Sequence, residues 1–347
     1  MKLVHILDNL DRGGAQTMLR SVVAGLTRRG YKQHIICLNE KFNAQTVASM
    51  QHAGATVEIV GRPRLYALIG IWQIVRELRR RRPDLVHTEL PWGDLIGRLA
   101  ARIAGIGSVI STVTCRYAEK PRLQLLVDRI TAPWADRVAF QSAEIVEFSI
   151  ANEGIRPEQV CCIPNGIDLD DTDRTAAAVA LRGQYGNGAR VVIGMVARLH
   201  PTKGQSVVIE AFAKVASISG DVYLWLIGDG PDRARLLAQV ERLRLKGRVL
   251  FAGDRGDVRD WLAAMDIFVH PTYMEGLPLA VLEAMLAAKP VIATPVDGVR
   301  GLITQGVHGW LVPPDDGDGL ANAIQTVIDN PELAARDHEM IAVGDRA

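Results

Sequence analysis

Two hydrophobic rhythms alternate along the chain. Short, nearly continuous apolar runs occupy residues 3–7 (LVHIL), 33–38 (QHIICL), 84–88 (DLVHT), 108–112 (SVIST) and 136–140 (DRVAF). Between them lie longer amphipathic stretches, at 15–30 ending in Gly30, at 71–83 and at 93–105. The first rhythm predicts strands covered on both faces and the second predicts helices. Their alternation predicts a parallel sheet flanked by helices. At 160–168 (VCCIPNGID) the Pro, Asn and Gly mark a turn,. A second series follows, with strands predicted at 190–196, 222–228, 248–253, 266–271 and 290–294. Its helices are predicted at 204–217, 231–245, 257–264 and 278–288. The fold class is therefore α/β: two doubly wound domains, residues 1–165 and 166–347, hinged near 164–170 and facing each other across a cleft. Ligands of open sheets bind beyond the carboxyl ends of the strands, so the cleft is the expected site.

Composition changes this picture little. A length of 347 residues suits two domains of ordinary size,. An apolar fraction of 48% with 23% charged residues is that of a soluble globular chain,. Asp8 arrives too early for a signal peptide, and no run of 18 apolar residues is present to span a membrane,. Cys37, Cys115, Cys161 and Cys162 form neither a disulfide framework nor a zinc motif, which points to a reducing, cytoplasmic compartment,.

Charge adds more. The net charge of +1 hides 22 Lys and Arg against 15 Asp and Glu in residues 1–165, and 18 against 24 in the remainder. A basic first half suits an anionic partner such as a lipid headgroup or a phosphorylated acceptor. Arg76, Arg79, Arg80, Arg81 and Arg82 crowd one helix end, and residues 115–134 mix basic and apolar side chains up to Trp134. Both suit peripheral contact with an anionic membrane face, although cations are favoured at a helix C-terminus in any case. Aromatic residues make up 5% of the chain and no recognition motif is present, so nucleic acid is excluded as a partner,.

Four segments carry candidate chemistry. In DNLDRGGAQ (8–16), Gly13 and Gly14 join a strand to a helix, where a backbone can approach an anion closely,. In MVARLHPTKGQ (195–205), Arg198 and Lys203 lie between strand and helix, a spacing that suits a diphosphate,. LIGDGPDRARL (226–236) reads as a strand–turn–helix lining the cleft. In YMEGLPLAVLEAM (273–285), Glu275 closes a loop and Pro278 fits the first helical turn,. The amides of Gly276, Leu277, Leu279 and Ala280 then frame an anion pocket. Glu283 sits on an otherwise apolar helix and needs partners; the hydroxyls of a sugar would serve,. Asp168-Leu169-Asp170 reads as a cap or linker, so no metal site is expected. His87, at a strand end close to the expected cleft, reads more simply as a hydrogen-bonded structural histidine, and His270, before Pro271, stays open between a structural and a site role.

EGLPLAVLEAM resembles the E-x7-E motif of the retaining glycosyltransferases of family 4, which have the GT-B fold of two Rossmann-like domains. DRGGAQ, IPNGID, ARLHPTKG, LIGDGP and GVHGWLVPP extend the resemblance, in order, over nearly the whole chain. It implies hexosyl transfer from a nucleotide-sugar donor to a sugar, polysaccharide or lipid-linked acceptor, with the donor on residues 166–347 and the acceptor on 1–165. Glu283 would hold the ribose, Glu275 would stand by the donor hexose, and Arg198 and Lys203 would neutralise the diphosphate without a metal or other cofactor. Gly13 and Gly14 would let the first domain close over the phosphates. Attack would come from the face the phosphate leaves, with retention.

Two departures stand out. The family often carries a histidine in the loop that here reads TVTCRY (112–117), where Thr114 or Arg116 would substitute. The final helical segment that crosses back onto the first domain reads as short or missing. Two alternatives remain: a non-catalytic relative that binds nucleotide sugar, and an NAD-dependent oxidoreductase. The second lacks G-x-G-x-x-G, although Glu40 stands near the right place for its acid,.

Overall fold

The structure, a computed structural model, describes residues 1–40, 42–61, 67–116, 122–169 and 172–330. The chain divides into two units, Met1–Gly166 and Ile167–Ala347.

The first unit runs β1 (Lys2–Leu7), α1 (Gly14–Arg28), β2 (Lys32–Cys37), α2 (Ala44–His52), β3 (Ala55–Ile59), α3 (Ala67–Arg81), β4 (Leu85–Glu89) and α4 (Pro91–Ala104). It continues with β5 (Val109–Val113), α5 (Arg122–Thr131), β6 (Arg137–Phe140), α6 (Ala143–Glu153) and β7 (Val160–Cys162). The strands form one seven-stranded parallel sheet in the order β3-β2-β1-β4-β5-β6-β7. Its faces are buried by two cores, one around Leu7, Leu19, Val23, Ile35 and Met50, the other around Ile6, Ile74, Leu78, Val86 and Phe140. This is why β1 and β2 read as nearly continuous apolar runs.

A polar line crosses this sheet. Gln33 gives its Nε2 hydrogens to the Val23 carbonyl (2.8 Å) and Thr27 Oγ1 (2.9 Å), which leaves its Oε1 as an acceptor for His5 Nε2 at 3.1 Å. A neutral His5 with its proton on Nε2 then accepts at Nδ1 from His87 Nδ1, 3.0 Å away,. His87 Nε2 in turn accepts from the Thr112 hydroxyl at 2.8 Å. Burial lowers the His5 pKa to about 4. Burial and then the neighbouring His5 lower that of His87 to about 3. Both rings are neutral, and every proton in the line has one direction.

The second unit runs α7 (Thr175–Tyr185), β8 (Val191–Val196), α8 (Gln205–Ile218), β9 (Val222–Ile227), α9 (Arg233–Arg242), β10 (Val249–Gly253) and α10 (Val258–Ala264). It ends with β11 (Ile267–His270), α11 (Leu279–Leu286), β12 (Val291–Ala293), β13 (Trp310–Leu311) and α12 (Gly317–Asp329). The six-stranded sheet has the order β10-β9-β8-β11-β12-β13 and is again parallel. Phe212, Leu224, Leu236 and Ile324 pack on one face, and Trp225, Trp261, Phe268 and Val281 on the other. In both sheets the winding reverses between the first and fourth strands, so the crevices lie at the carboxyl ends of β1/β4 and of β8/β11,.

Two sequence expectations differ from the structure. Residues 160–162 form β7, a seventh strand, before the turn at Pro164-Asn165-Gly166 begins. Pro278 caps α11 from outside the first turn: its ψ of 116° is extended, and its carbonyl accepts from Val281 (3.1 Å) and Leu282 (3.3 Å). The C-terminal crossover segment falls in residues 331–347, outside the described residues.

Candidate active site

Two loops at the carboxyl edge of the second sheet build the site. One leaves β8 and holds Arg198 and Lys203; the other leaves β11 and holds Glu275. They are stitched together by backbone. The Thr202 carbonyl accepts from Tyr273 N at 2.9 Å and from Thr272 Oγ1 at 3.1 Å. Gly204 follows at φ +78°, and a Cβ there would overlap the Pro271 carbonyl oxygen, so only glycine lets the loops approach,. A third loop presses from the other side: Gly298, at φ +68°, packs on the Gly276 carbonyl with no room for a side chain.

This stitching delivers Lys203 Nζ to Glu275 Oε1 at 2.6 Å. His270, the last residue of β11, reaches the same oxygen through Nε2 at 3.0 Å. Its ring lies flat on Phe268, with centroids 5.9 Å apart and planes 13° apart. Burial alone would raise the Glu275 pKa. The Lys203 charge and the His270 hydrogen bond outweigh it and hold the pKa at about 2, so the carboxylate is ionised at every physiological pH,.

Immediately after Glu275 the chain enters α11. The Leu279 and Ala280 amides precede the first helical hydrogen bond, which Val281 donates, and they lie at the positive end of the helix dipole,. Leu277 and Leu279 are buried, fixing that end. Glu283 lies further along α11, with Arg259 Nε of α10 at 3.8 Å from its Oε1. Arg259 also donates to the Asp168 carbonyl at 3.0 Å. Arg198 is exposed, its carbonyl held by Gln205 Nε2 at 2.8 Å; among the described residues no hydrogen bond or ion pair engages its guanidinium. The structure thus brings Lys203 and Glu275 into contact and places Gly276, Leu277, Leu279 and Ala280 on the same loop and helix start.

The other sequence candidates lie in the first unit. Gly13 caps α1 in an extended conformation open to any residue, and Gly14 starts the helix. Thr114 and Arg116 follow β5; Arg116 donates to the Glu144 carbonyl at 3.5 Å and stacks over Phe148 at 5.3 Å. His87 spends both ring nitrogens in the polar line, as a structural histidine does. Sequence reasoning left His270 undecided and missed Arg259 and Glu89. Glu89 ends β4 and is buried; burial, then the nearby Asp94, push its carboxyl up to about 8. Its signal was an acid at a strand end in VHTELP. Among the described residues no three metal-ligating side chains converge.

Comparison with known proteins identifies what carries this arrangement. A family described as Glycosyltransferase Family 4 matches residues 12–171, and one described as Glycosyl transferases group 1 matches 190–330. The chain belongs to glycosyltransferase family 4. Its relatives include the Escherichia coli UDP-Gal:alpha-D-GlcNAc-diphosphoundecaprenol alpha-1,3-galactosyltransferase, 29% identical over 77% of this chain and 71% of that one. The 2-deoxystreptamine glucosyltransferase of Streptomyces kanamyceticus is also 29% identical, over 79% and 75%. The crystal structure of Anabaena HepE in complex with UDP-glucose superposes with a TM-score of 0.87, at 26% identity, over 99% of this chain and 94% of that one. Sucrose-phosphate synthase from Thermosynechococcus elongatus shares the fold, with a TM-score of 0.81 at 22% identity over 98% and 92%. This family 4 member is thus a sugar-transferring enzyme of GT-B fold. Among its described residues no helix is long and apolar enough to cross a membrane.

Proposed function

We infer that the enzyme moves a hexosyl group from a nucleotide-diphosphate sugar, with UDP as the leading nucleotide, to a hydroxyl of a sugar, polysaccharide or lipid-linked acceptor, with retention. The observation that carries this reading is Glu275, kept ionised by Lys203 and His270 beside the start of α11. A diphosphate fits the exposed Arg198 guanidinium, Lys203 and the α11 amides. These supply the charge stabilisation that a divalent cation supplies elsewhere, so metal-independent transfer is part of the reading. Glu275 would steady positive charge developing at the anomeric carbon, and Glu283 would hold the ribose hydroxyls. The Anabaena relative was crystallised with UDP-glucose, which supports UDP. The E. coli relative's acceptor carries diphosphoundecaprenol, which supports a lipid-linked acceptor on the first unit and peripheral contact with the inner membrane face.

Thermal-shift screening of UDP-, GDP- and other nucleotide sugars tests the donor. Glu275→Ala, Arg198→Ala and Lys203→Ala are each expected to lower transfer by about 10²-fold, the scale of one lost electrostatic contact to developing charge. Wild-type rates in all three would reject the site.

A further inference from the structure

Glu275 has two partners on one oxygen, and they are built differently. His270 is 2% exposed and clamped on Phe268, whereas the Lys203 side chain is 24% exposed on a flexible four-carbon stem,. His270 Nδ1 is buried and meets no hydrogen-bond partner among the described residues, while Nε2 faces the Glu275 carboxylate and donates to it,. Oε2 of Glu275 meets no hydrogen-bond or ion-pair partner among the described residues. Lys203 is also one of the two cations assigned to the diphosphate above. One ammonium cannot sit at 2.6 Å from a carboxylate and also neutralise a diphosphate at full strength,.

We propose that His270 is the standing partner of Glu275 and Lys203 an exchangeable one, which leaves Glu275 for the diphosphate when the nucleotide sugar arrives. The proposal rests on the donor reading above. The carboxylate then loses its cation but keeps its position, because the His270 Nε2–H bond stays in place. Oε2 remains available to a hydroxyl of the transferred sugar. His270 is in this sense a positioning residue. Lys203 couples ligand arrival to an unmasking of negative charge beside the reacting carbon.

The test uses the full chain, UDP as the probe in titration calorimetry, and steady-state transfer with the nucleotide sugar that the screen selects. Glu275→Gln is expected to bind UDP a few-fold more tightly, because Lys203 no longer has a carboxylate to leave; a partly exposed ion pair sets that scale. Lys203→Met is expected to weaken UDP binding and to remove the gain when combined with Glu275→Gln. His270→Phe is expected to leave UDP affinity and the donor KM within about twofold while kcat falls by at least about tenfold. His270→Gln, whose amide N–H can stand where Nε2–H stood, is expected to recover most of the kcat.

Unchanged or weaker UDP binding by Glu275→Gln, with Lys203→Met impaired, would overturn the exchange. Wild-type kcat in His270→Phe, or equal losses in the Phe and Gln variants, would overturn the standing role. Failure of the donor reading looks different: UDP would bind none of the proteins, the wild type included, and Glu275→Gln would turn over normally.

Discussion

At the scale of the residue, two glutamates at strand ends show how surroundings set charge. Glu275, near the end of β11, is held at about 2 by Lys203 and His270 against its own burial. Glu89, at the end of β4, has no such partner among the described residues and is pushed up to about 8 by burial and then by Asp94. Their effects on stability run in opposite directions. The Glu275 contribution is present above the ordinary carboxylate pKa of 4.5 and is lost as pH falls toward 2. That of Glu89 is present below 4.5 and is lost as pH rises through 8. Glu89→Gln, neutral at every pH, should therefore gain on the wild type between pH 5 and pH 8, by several degrees in Tm, read by thermal unfolding at both values. Gly204→Ala should be far costlier than a surface change. Its Cβ would drive the two site loops apart, and transfer should fall at least tenfold with loss of Tm,. The loop positions of Glu275, Arg198 and Lys203 were legible in the sequence, because each follows an apolar run that forms a strand, β11 or β8. The Lys203–Glu275 contact was not legible, since it joins residues 72 apart through backbone bonds that no local pattern encodes.

At the scale of the element, the buried strands were the most legible feature, because parallel strands covered on both faces leave an unbroken apolar run. Helices that depend on propensity were missed. α7 (TAAAVALRGQY) buries no residue fully, so no apolar stripe announces it. α5 is the instructive case. Its Asp128 and Thr131 are buried, while Leu123, Leu126 and Ile130 are 72%, 54% and 56% exposed alongside Arg122 and Arg129. Periodicity reports that a helix has two faces; it does not report which one faces inward. With its apolar side outward and arginines beside it, α5 suits an anionic lipid surface. Leu123→Glu with Leu126→Glu should reduce co-sedimentation with vesicles containing anionic lipid by at least about tenfold, each side chain contributing on the order of 1–2 kcal/mol. Solution transfer to a water-soluble acceptor should be unaffected.

At the scale of the whole molecule, one winding is used twice. The sheet order around β1 and β4 is repeated around β8 and β11, and each unit offers one crevice at its carboxyl edge,. The duplication was visible as two alternating series broken at a Pro-Asn-Gly turn, although the seventh strand hid in the VCC before it, only three residues long. The units differ in how they meet acid. His5 and His87 must stay neutral in the folded first unit, at about 4 and about 3, but charge near 6.5 when unfolded. Their contribution is full above pH 6.5 and drains away as pH falls toward 4. Hydrogen exchange at pH 7 and pH 5 should show protection lost first in β1, β4 and β5, by on the order of 1 kcal/mol per pH unit, with β8 and β11 holding. His5→Asn with His87→Asn should flatten that slope. The same line of protons has an end as well as a direction. Thr112, near the carboxyl end of β5, gives its only hydroxyl hydrogen inward to His87, so toward anything resting on that carboxyl edge of the sheet its oxygen can only receive. A visitor at that edge has to bring the hydrogen itself, and one with nothing to give would meet two unshared lone pairs.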